Sequence, residues 1–442
     1  MNSASLQRRL GLAAVAAIVA GDMLGSGIFF APGELAAVAR ANWQIYFFWA
    51  LAGVIVLCGA LTLAELTVHL PKAGATFHII HEGFGPFWAF IKIWVEMFIS
   101  GPGSVAGGAI LFGEFLTYFI QISPVLAGTA GILFFTMINL LGVQWGGRTQ
   151  IAITSIKIAA VLALILGSIF LAEPVKHTTV VSTESHTTFL SLFILIGSGI
   201  AAVLFTYDGW TDVTHVAGEV LHPQKNIPRS LLLGVGAIIV LYLLVNYAFL
   251  RVVPLEVMKH STNRVASIFA VNTFGSGGAG YLQAMIIIST LGAMGGLIMT
   301  QPRLYFAAAE MYREKSPLFR MLAGISTTGV PAASIIFTAA VSILALSFFG
   351  SFSRIVNFFV VPMQFINILM VASIFKLRKK SDAGYRTPLF PYVPLLFIVV
   401  MAGFIISALI YHPLDTLIGV ALTATGVPFY FRIHRKEMEK IT

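Results

Sequence analysis

The stretch Ala20-Gly21-Asp22-Met23-Leu24-Gly25-Ser26-Gly27-Ile28-Phe29-Phe30-Ala31-Pro32-Gly33 sits inside an apolar run from Leu10 to Val38. A continuous helix through it would be a poor one. Glycine in a helix interior costs about 1 kcal/mol against alanine, and Gly25-Ser26-Gly27 places two of them within three residues. An aspartate in a bilayer core costs at least a few kcal/mol. Unwound backbone at membrane depth is tolerated only where it is buried in protein or lines a cavity. The stretch therefore reads as a transmembrane helix that breaks at mid-depth.

The rest of the chain supports a membrane reading. Of the 442 residues, 58% are apolar and only 10% charged, against about 25% charged in a soluble domain; the mean hydropathy is +0.90. Arg8 and Arg9 precede the first run as they would in a signal peptide. That run is longer than the roughly 7–15 apolar residues of a leader and lacks a clear small-x-small cleavage site, so it is expected to stay as the first span. Twelve spans are expected, at 10–38, 43–69, 86–119, 124–143, 149–172, 188–219, 229–252, 279–311, 331–350, 354–376, 389–411 and 414–432. The chain thus reads as an all-α polytopic membrane protein with a single transmembrane domain over 1–442. With the N-terminus inside, 19 of the 27 Lys and Arg fall on the cytoplasmic side, 6 outside, and Lys92 and Lys157 within spans. That asymmetry predicts both termini in the cytoplasm of a cell (plasma or inner) membrane. It also accounts for the net charge of +9 without a nucleic-acid partner. The segment from Arg251 to Gly280 reads equally as a short helical lid or as a plain surface loop.

A second span is interrupted. The sixth carries Phe205-Thr206-Tyr207-Asp208-Gly209-Trp210 after Gly197-Ser198-Gly199. One Gly-x-Gly serves helix packing as well as it serves a break. Two interrupted spans, five apart and one with a mid-span aspartate, point to a midplane substrate site between repeats. Amides near Ser26, Gly27 and Ile28 would bind an anion at a positive helix end. Carbonyls left free before the breaks would accept from a cation. A zwitterionic α-amino acid offers both groups.

Lys157 lies nine residues past Arg148, roughly 13 Å deep at about 1.5 Å per residue. Its ammonium is expected to cap carbonyls freed by the first break and tie the fifth span to it. Phe205 and Tyr207 flank the second break, where an aromatic can cover a substrate or simply pack. Tyr242 can donate to an acceptor in the core. Asp22 and Asp208 either titrate during a cycle or bond to nearby backbone. Glu65, Lys92, Glu96 and Glu114 read as span-end groups or helix-surface pairs, with Lys92 and Glu96 four apart. His78 and His81 fall in a cytoplasmic connection and suggest no metal site. No metal or cofactor is expected. With Cys58 the only thiol, neither a disulfide within the chain nor a covalent subunit partner is expected.

Several motifs then resemble one family. Gly21-Asp22-Met23-Leu24-Gly25-Ser26-Gly27-Ile28-Phe29 with Pro32-Gly33 resembles the first-helix signature of the amino acid–polyamine–organocation (APC) superfamily. Glu65-Leu66 followed by Pro71-Lys72-Ala73-Gly74 resembles its second helix and loop. Phe205 to Trp210 with Gly218-Glu219 is similar to the sixth helix of the L-type branch. Gln301-Pro302-Arg303, Thr328-Gly329-Val330-Pro331 and Tyr385-Arg386-Thr387-Pro388 follow in order.

The resemblance implies a five-plus-five inverted repeat, with helices 1–5 over 10–172, helices 6–10 over 188–376, two additional helices over 389–432, and helices 1 and 6 broken. It implies alternating access, by sodium-independent exchange or proton-coupled uptake, with an amino acid as substrate. It implies that Ser26, Gly27 and Ile28, with Gly25 beside them, hold the carboxylate. Carbonyls around Ala20, Gly21, Phe205, Thr206 and Asp208, in the Tyr207–Gly209 turn, would hold the amino group. Phe205 would be the gate. Lys157 would be a fixed cation where related carriers bind sodium, or a group that protonates, with Tyr242 linked to it and Asp22 a further coupling candidate.

The chain also departs from the pattern. Asp22 replaces a neutral residue, Ala73-Gly74-Ala75 a glycine pair, and Leu297 an aromatic of arginine exchangers. Ile99 stands where carriers of cationic substrates place a carboxylate. The last two favour a small or neutral L-amino acid. Polyamines, cationic amino acids and amino-acid–sugar conjugates remain the alternative. An enzyme is not expected, since the spans hold no nucleophile pair, paired-carboxylate site or H-E-x-x-H. No repeated filter motif suggests a channel.

Overall fold

The computed structural model describes residues 7–175, 203–204, 206–261, 264–349, 352–380, 384–411 and 413–438. Secondary structure there is helical, apart from one parallel bridge between Leu10 and Val220. In chain order, α1 is Leu12–Met23, α2 Gly27–Val38, α3 Asn42–His69, α4 Ala75–Phe84, α5 Pro86–Val95, α6 Gly101–Leu116, α7 Pro124–Leu140 and α8 Val143–Phe170. Then follow α9 Pro223–Val252, α10 Leu255–His260, α11 Val265–Phe274, α12 Gly278–Tyr312, α13 Pro317–Leu322, α14 Ala332–Phe349, α15 Phe352–Ala372, α16 Ile374–Leu377, α17 Tyr392–Tyr411, α18 Pro413–Ala424 and α19 Gly426–Met438.

Among the described residues, seven helical stretches are long and apolar enough to cross a membrane, and eight when the bent pair α1 and α2 counts as one. Three shorter apolar helices, Pro124–Leu140, Ala332–Phe348 and Val361–Leu377, stand where the fourth, ninth and tenth spans are expected. Half of the sixth expected span falls outside the described residues. The segment after α9 is helical: α10 and α11 both pack on α2, which favours the lid over a plain loop.

The departures from regular helix have local causes. α1 and α2 meet at 43° across Leu24-Gly25-Ser26, where the glycines weaken the ladder. In the third span a π-helical turn, Glu96–Ser100, separates α5 from α6. Pro102 follows at the second position of α6. Proline lacks an N–H and its ring clashes with the carbonyl four residues back, and a π turn absorbs that misfit. Prolines at the starts of α5, α7 and α9 sit where a helix amide needs no partner.

The core lies between these helices. α1 packs against α8, α9 and α12, while α6 packs against α7, α12 and α14. One buried ion pair crosses it. Arg303 and Glu219 form an ion pair at 2.9 Å with both side chains within 1% of full burial. The N-terminal segment is drawn into the same region. Arg9 and Leu10 amides donate to the Glu219 carbonyl, and the Leu221 amide donates to that of Leu10.

Two carboxylate expectations are corrected. Glu65 is no span-end surface group. It is 1% exposed, accepts from the Thr387 amide at 2.6 Å, and pairs with Arg378 and Arg386. Lys92 and Glu96 do pair, at 3.0 Å, but inside the protein rather than on a helix surface, because the π turn rotates Glu96 inward toward Ser100.

Candidate functional site

The break between α1 and α2 leaves backbone groups that must find partners. Its carbonyls find them in side chains from three other helices. The Thr154 hydroxyl donates to Ala17 O at 3.0 Å and the Lys157 ammonium to Gly21 O at 2.6 Å, both from α8. The Tyr242 hydroxyl of α9 bridges Met23 O at 2.7 Å and Thr206 O at 3.1 Å, so one phenol links both interrupted segments. The Ser289 hydroxyl of α12 reaches Leu24 O at 2.9 Å and Gly25 O at 3.0 Å. Ala20 O takes the Leu24 amide.

The amides are treated differently. Those of Ser26, Gly27 and Ile28 donate to no acceptor among the described residues. They are the first amides of α2, at its positive end.

A cavity of about 130 Å³ adjoins them. Asp22, Gly25, Ser26 and Gly27 line it from the first break; Thr206, Asp208, Gly209 and Asp212 line it from the second. Gly103, Ser104, Gly107, Gly108 and Leu111 of α6 form another wall, and Thr290, Ala293 and Leu297 of α12 a further one. The two breaks touch closely. Gly209 has φ +101°, and a Cβ there would meet the Asp22 carbonyl carbon at 2.8 Å, so both its conformation and its packing require glycine.

Ala20, Gly21, Ile28 and Tyr207, expected at the site, do not line the cavity. Tyr207 is fully buried behind it, donating to Trp49 O at 3.1 Å and packing edge-on against Tyr242. Lys157 and Tyr242 also stand behind the wall, holding backbone. Phe205, the expected gate, lies outside the described residues. Leu297 lines the cavity, whereas Ile99 packs in the cluster around Val105 and Ile298.

Asp22 lines the cavity with its carboxylate set against Gly296, where a Cβ would land on it. Its Oδ1 accepts from Gln150 Nε2 at 3.3 Å, and its Oδ2 has no partner among the described residues. Sequence reasoning overlooked Gln150, Thr154, Ser289 and the α6 wall. The wall had a signal, the small-x-x-x-small spacing of Gly103 and Gly107. The other three look like ordinary polar residues until the carbonyls they serve are located.

Comparison with known proteins bears on this arrangement. The amino acid permease family profile matches residues 10–430. The chain belongs to that family. It is an APC-superfamily permease, a membrane transporter and not an enzyme. It is 26% identical over 439 residues to the serine/threonine exchanger SteT of Bacillus subtilis (strain 168), covering 98% of each chain. It is 27% identical over 452 residues to the b(0,+)-type amino acid transporter 1 of Mus musculus, covering 98% of this chain and 89% of that one. It is 28% identical over 442 residues to the human cystine/glutamate transporter, covering 96% and 85%. The permease thus carries its broken first helix and cavity within a family of amino acid carriers.

Proposed function

We propose that this permease binds an α-amino acid at the junction of its two interrupted helices and carries it across a cell membrane by alternating access, independently of sodium. The observation that carries this reading is the asymmetry at the first break. Each freed carbonyl named above lies within hydrogen-bond reach of a protein donor, the Tyr242 and Ser289 hydroxyls each shared between two, while the amides of Ser26, Gly27 and Ile28 have no acceptor among the described residues. A substrate carboxylate is the group such a helix end takes. The Lys157 ammonium on Gly21 O supplies a fixed positive charge where a mobile cation would otherwise be needed. The relatives named as exchangers and transporters support the same assignment. In this reading the chain is a five-plus-five inverted repeat with two further helices and both termini cytoplasmic. It works as an exchanger or as a proton-coupled importer. No covalent subunit is needed, and Cys58 is buried within α3.

The test is uptake of labelled amino acids into proteoliposomes at zero sodium, with and without unlabelled amino acid inside, and with and without an inward proton gradient. Uptake that requires internal amino acid establishes exchange. Uptake into empty vesicles driven by the gradient establishes proton coupling. Failure of every amino acid to enter would overturn the reading.

A further inference from the structure

A histidine stands behind the cavity wall with nothing bonded to its ring. Asp212 lines the cavity, and His215 lies behind it on the same 3₁₀ segment, Asp212–Glu219, with Nδ1 3.6 Å from Asp212 Oδ1. The residue is 1% exposed, and neither ring nitrogen has a hydrogen-bond partner among the described residues. Buried polar atoms left unpaired are costly and rare, so this ring calls for a reason beyond packing.

Its place in the fold is between the cavity and one face of the protein. The His215 carbonyl accepts from the Gly74 amide at 2.8 Å, in the connection between the second and third spans. Four residues further on, the Glu219 carbonyl takes the Arg9 and Leu10 amides. The proposed orientation puts both contacts on the cytoplasmic side. A group passing from Asp212 to His215 therefore leaves the cavity in the cytoplasmic direction.

The other titratable groups of the neighbouring elements are engaged. The third span sets Lys92 and Glu96 toward the ring, bound to each other at 3.0 Å. α12 brings Arg303, bound to Glu219, and Tyr305, whose hydroxyl donates to Glu96 O at 2.7 Å. Asp22 of α1 and Asp208 of the second break act on Asp212. α4 groups His78 with His81 and Lys72, and His81 with Glu82. Tyr242 of α9 holds Met23 O and Thr206 O. Of the coupling candidates read from the sequence, Lys157 is tied to Gly21 O and Asp22 accepts from Gln150, so titrating either would disturb the first break. His215 has no such bond to lose. Imidazole changes charge near neutral pH, and it has one nitrogen to take a proton and another to pass one on.

Resting on the proposed transport of an amino acid, we propose that Asp212 and His215 carry a coupling proton, which makes the permease a proton symporter with its proton site on the second interrupted segment. The proton arrives from outer water through the cavity, is held between Asp212 Oδ1 and His215 Nδ1, and leaves the ring for cytoplasmic water once that segment moves. One bond to hydrogen forms and one breaks at each transfer, no other bond changes, and the pair gains and returns one positive charge per cycle. Lys157 stays charged throughout as the tether of the first break.

The experiment offers each of the labelled standard amino acids in turn to proteoliposomes holding the full chain and a sealed-in pH dye, at zero sodium and with the membrane potential clamped. An inward gradient of one pH unit is expected to raise wild-type accumulation in empty vesicles by up to about tenfold, the limit for one proton per amino acid, and amino acid entry should acidify the lumen. His215→Gln is expected to lose both effects while keeping counterflow between internal and external amino acid. Asp212→Asn should lose both effects as well, and Lys157→Met should keep the fold effect of the gradient whatever its rate. Wild-type uptake that needs internal amino acid and leaves the lumen pH steady would overturn this inference and leave the proposed function standing, as exchange. So would a full gradient effect in His215→Gln or Asp212→Asn, or its loss in Lys157→Met alone. Loss of counterflow together with the gradient effect in both His215→Gln and His215→Asn would overturn the coupling role, the ring then being structural. If no amino acid enters under any condition, the proposed function fails with it.

Discussion

Replacing Lys157 by methionine tests how the first break is held. The side chain is 2% exposed and its ammonium sits 2.6 Å from Gly21 O. Methionine is unbranched and close in length, so it fills the same space with little strain. What it removes is one charge-assisted hydrogen bond inside the protein, worth about 1.5–3 kcal/mol. If the bond forms in some conformations of the cycle and not others, the loss shifts their balance by about 10- to 150-fold, read as the exchange rate in proteoliposomes. If it forms in all of them, the rate stays and the melting midpoint in detergent falls instead. A second substitution separates geometry from charge. Asp22 follows Gly21 in the chain and has an open carboxylate oxygen, so removing the lysine leaves that charge further from balance. The double variant Asp22→Asn, Lys157→Met is therefore expected to lose less than the two single losses together, with a coupling of about 0.5–3 kcal/mol. Unchanged rate and unchanged melting in Lys157→Met would refute the tether. Strictly additive losses in the double variant would refute the charge balance.

Two further outcomes are expected. Gly296→Ala would drive a methyl into the Asp22 carboxylate, costing about 1–3 kcal/mol by overpacking; its melting midpoint should fall and partly recover when Asp22→Ala is added, and a wild-type midpoint would contradict the packing. His78, in the α4 connection outside the spans, is held neutral down to about 4 by burial, by the Lys72 charge and by His81. The unfolded chain takes up that proton near the ordinary value of 6.5. The stabilisation is therefore complete above about 6.5 and is lost as pH falls toward 4. His78→Gln should flatten that part of the melting-versus-pH curve, and an unaltered slope would remove His78 from it.

Much of the first break was legible because its cause is local. Gly25-Ser26-Gly27 and Asp22 conflict with a lipid-buried helix wherever they occur, and the bend falls where they stand. Lys157 was legible for the same reason. A charge about 13 Å past a span edge must find an acceptor, and a broken neighbour offers one. Tyr242 gave only a weak signal, because a tyrosine in an apolar helix is ordinary; its meaning lies in two carbonyls from distant segments. Ser289 and Gln150 were silent, since nothing in their own surroundings is unusual. Glu65 was misjudged because it lies near the end of a span, and Glu96 because it stands four residues from Lys92. An i,i+4 pair looks like a surface pair in a regular helix, and the π turn that buries it depends on Pro102 six residues past Glu96.

The donors that close the first break also constrain how it can move. Thr154 and Lys157 belong to α8, Tyr242 to α9 and Ser289 to α12, and each holds a carbonyl between Ala17 and Gly25. Rotating α1 against those helices would break several of these bonds together, so intermediate positions are penalised and the hinge favours discrete arrangements, as the proposed alternating access requires. The amides of Ser26, Gly27 and Ile28 have no such partners. A ligand that supplies the missing acceptor completes the hydrogen bonding of the break from inside the cavity. It can favour one arrangement only if it meets those amides better there than in the other. In the proposed cycle, binding and movement therefore act on the same few residues.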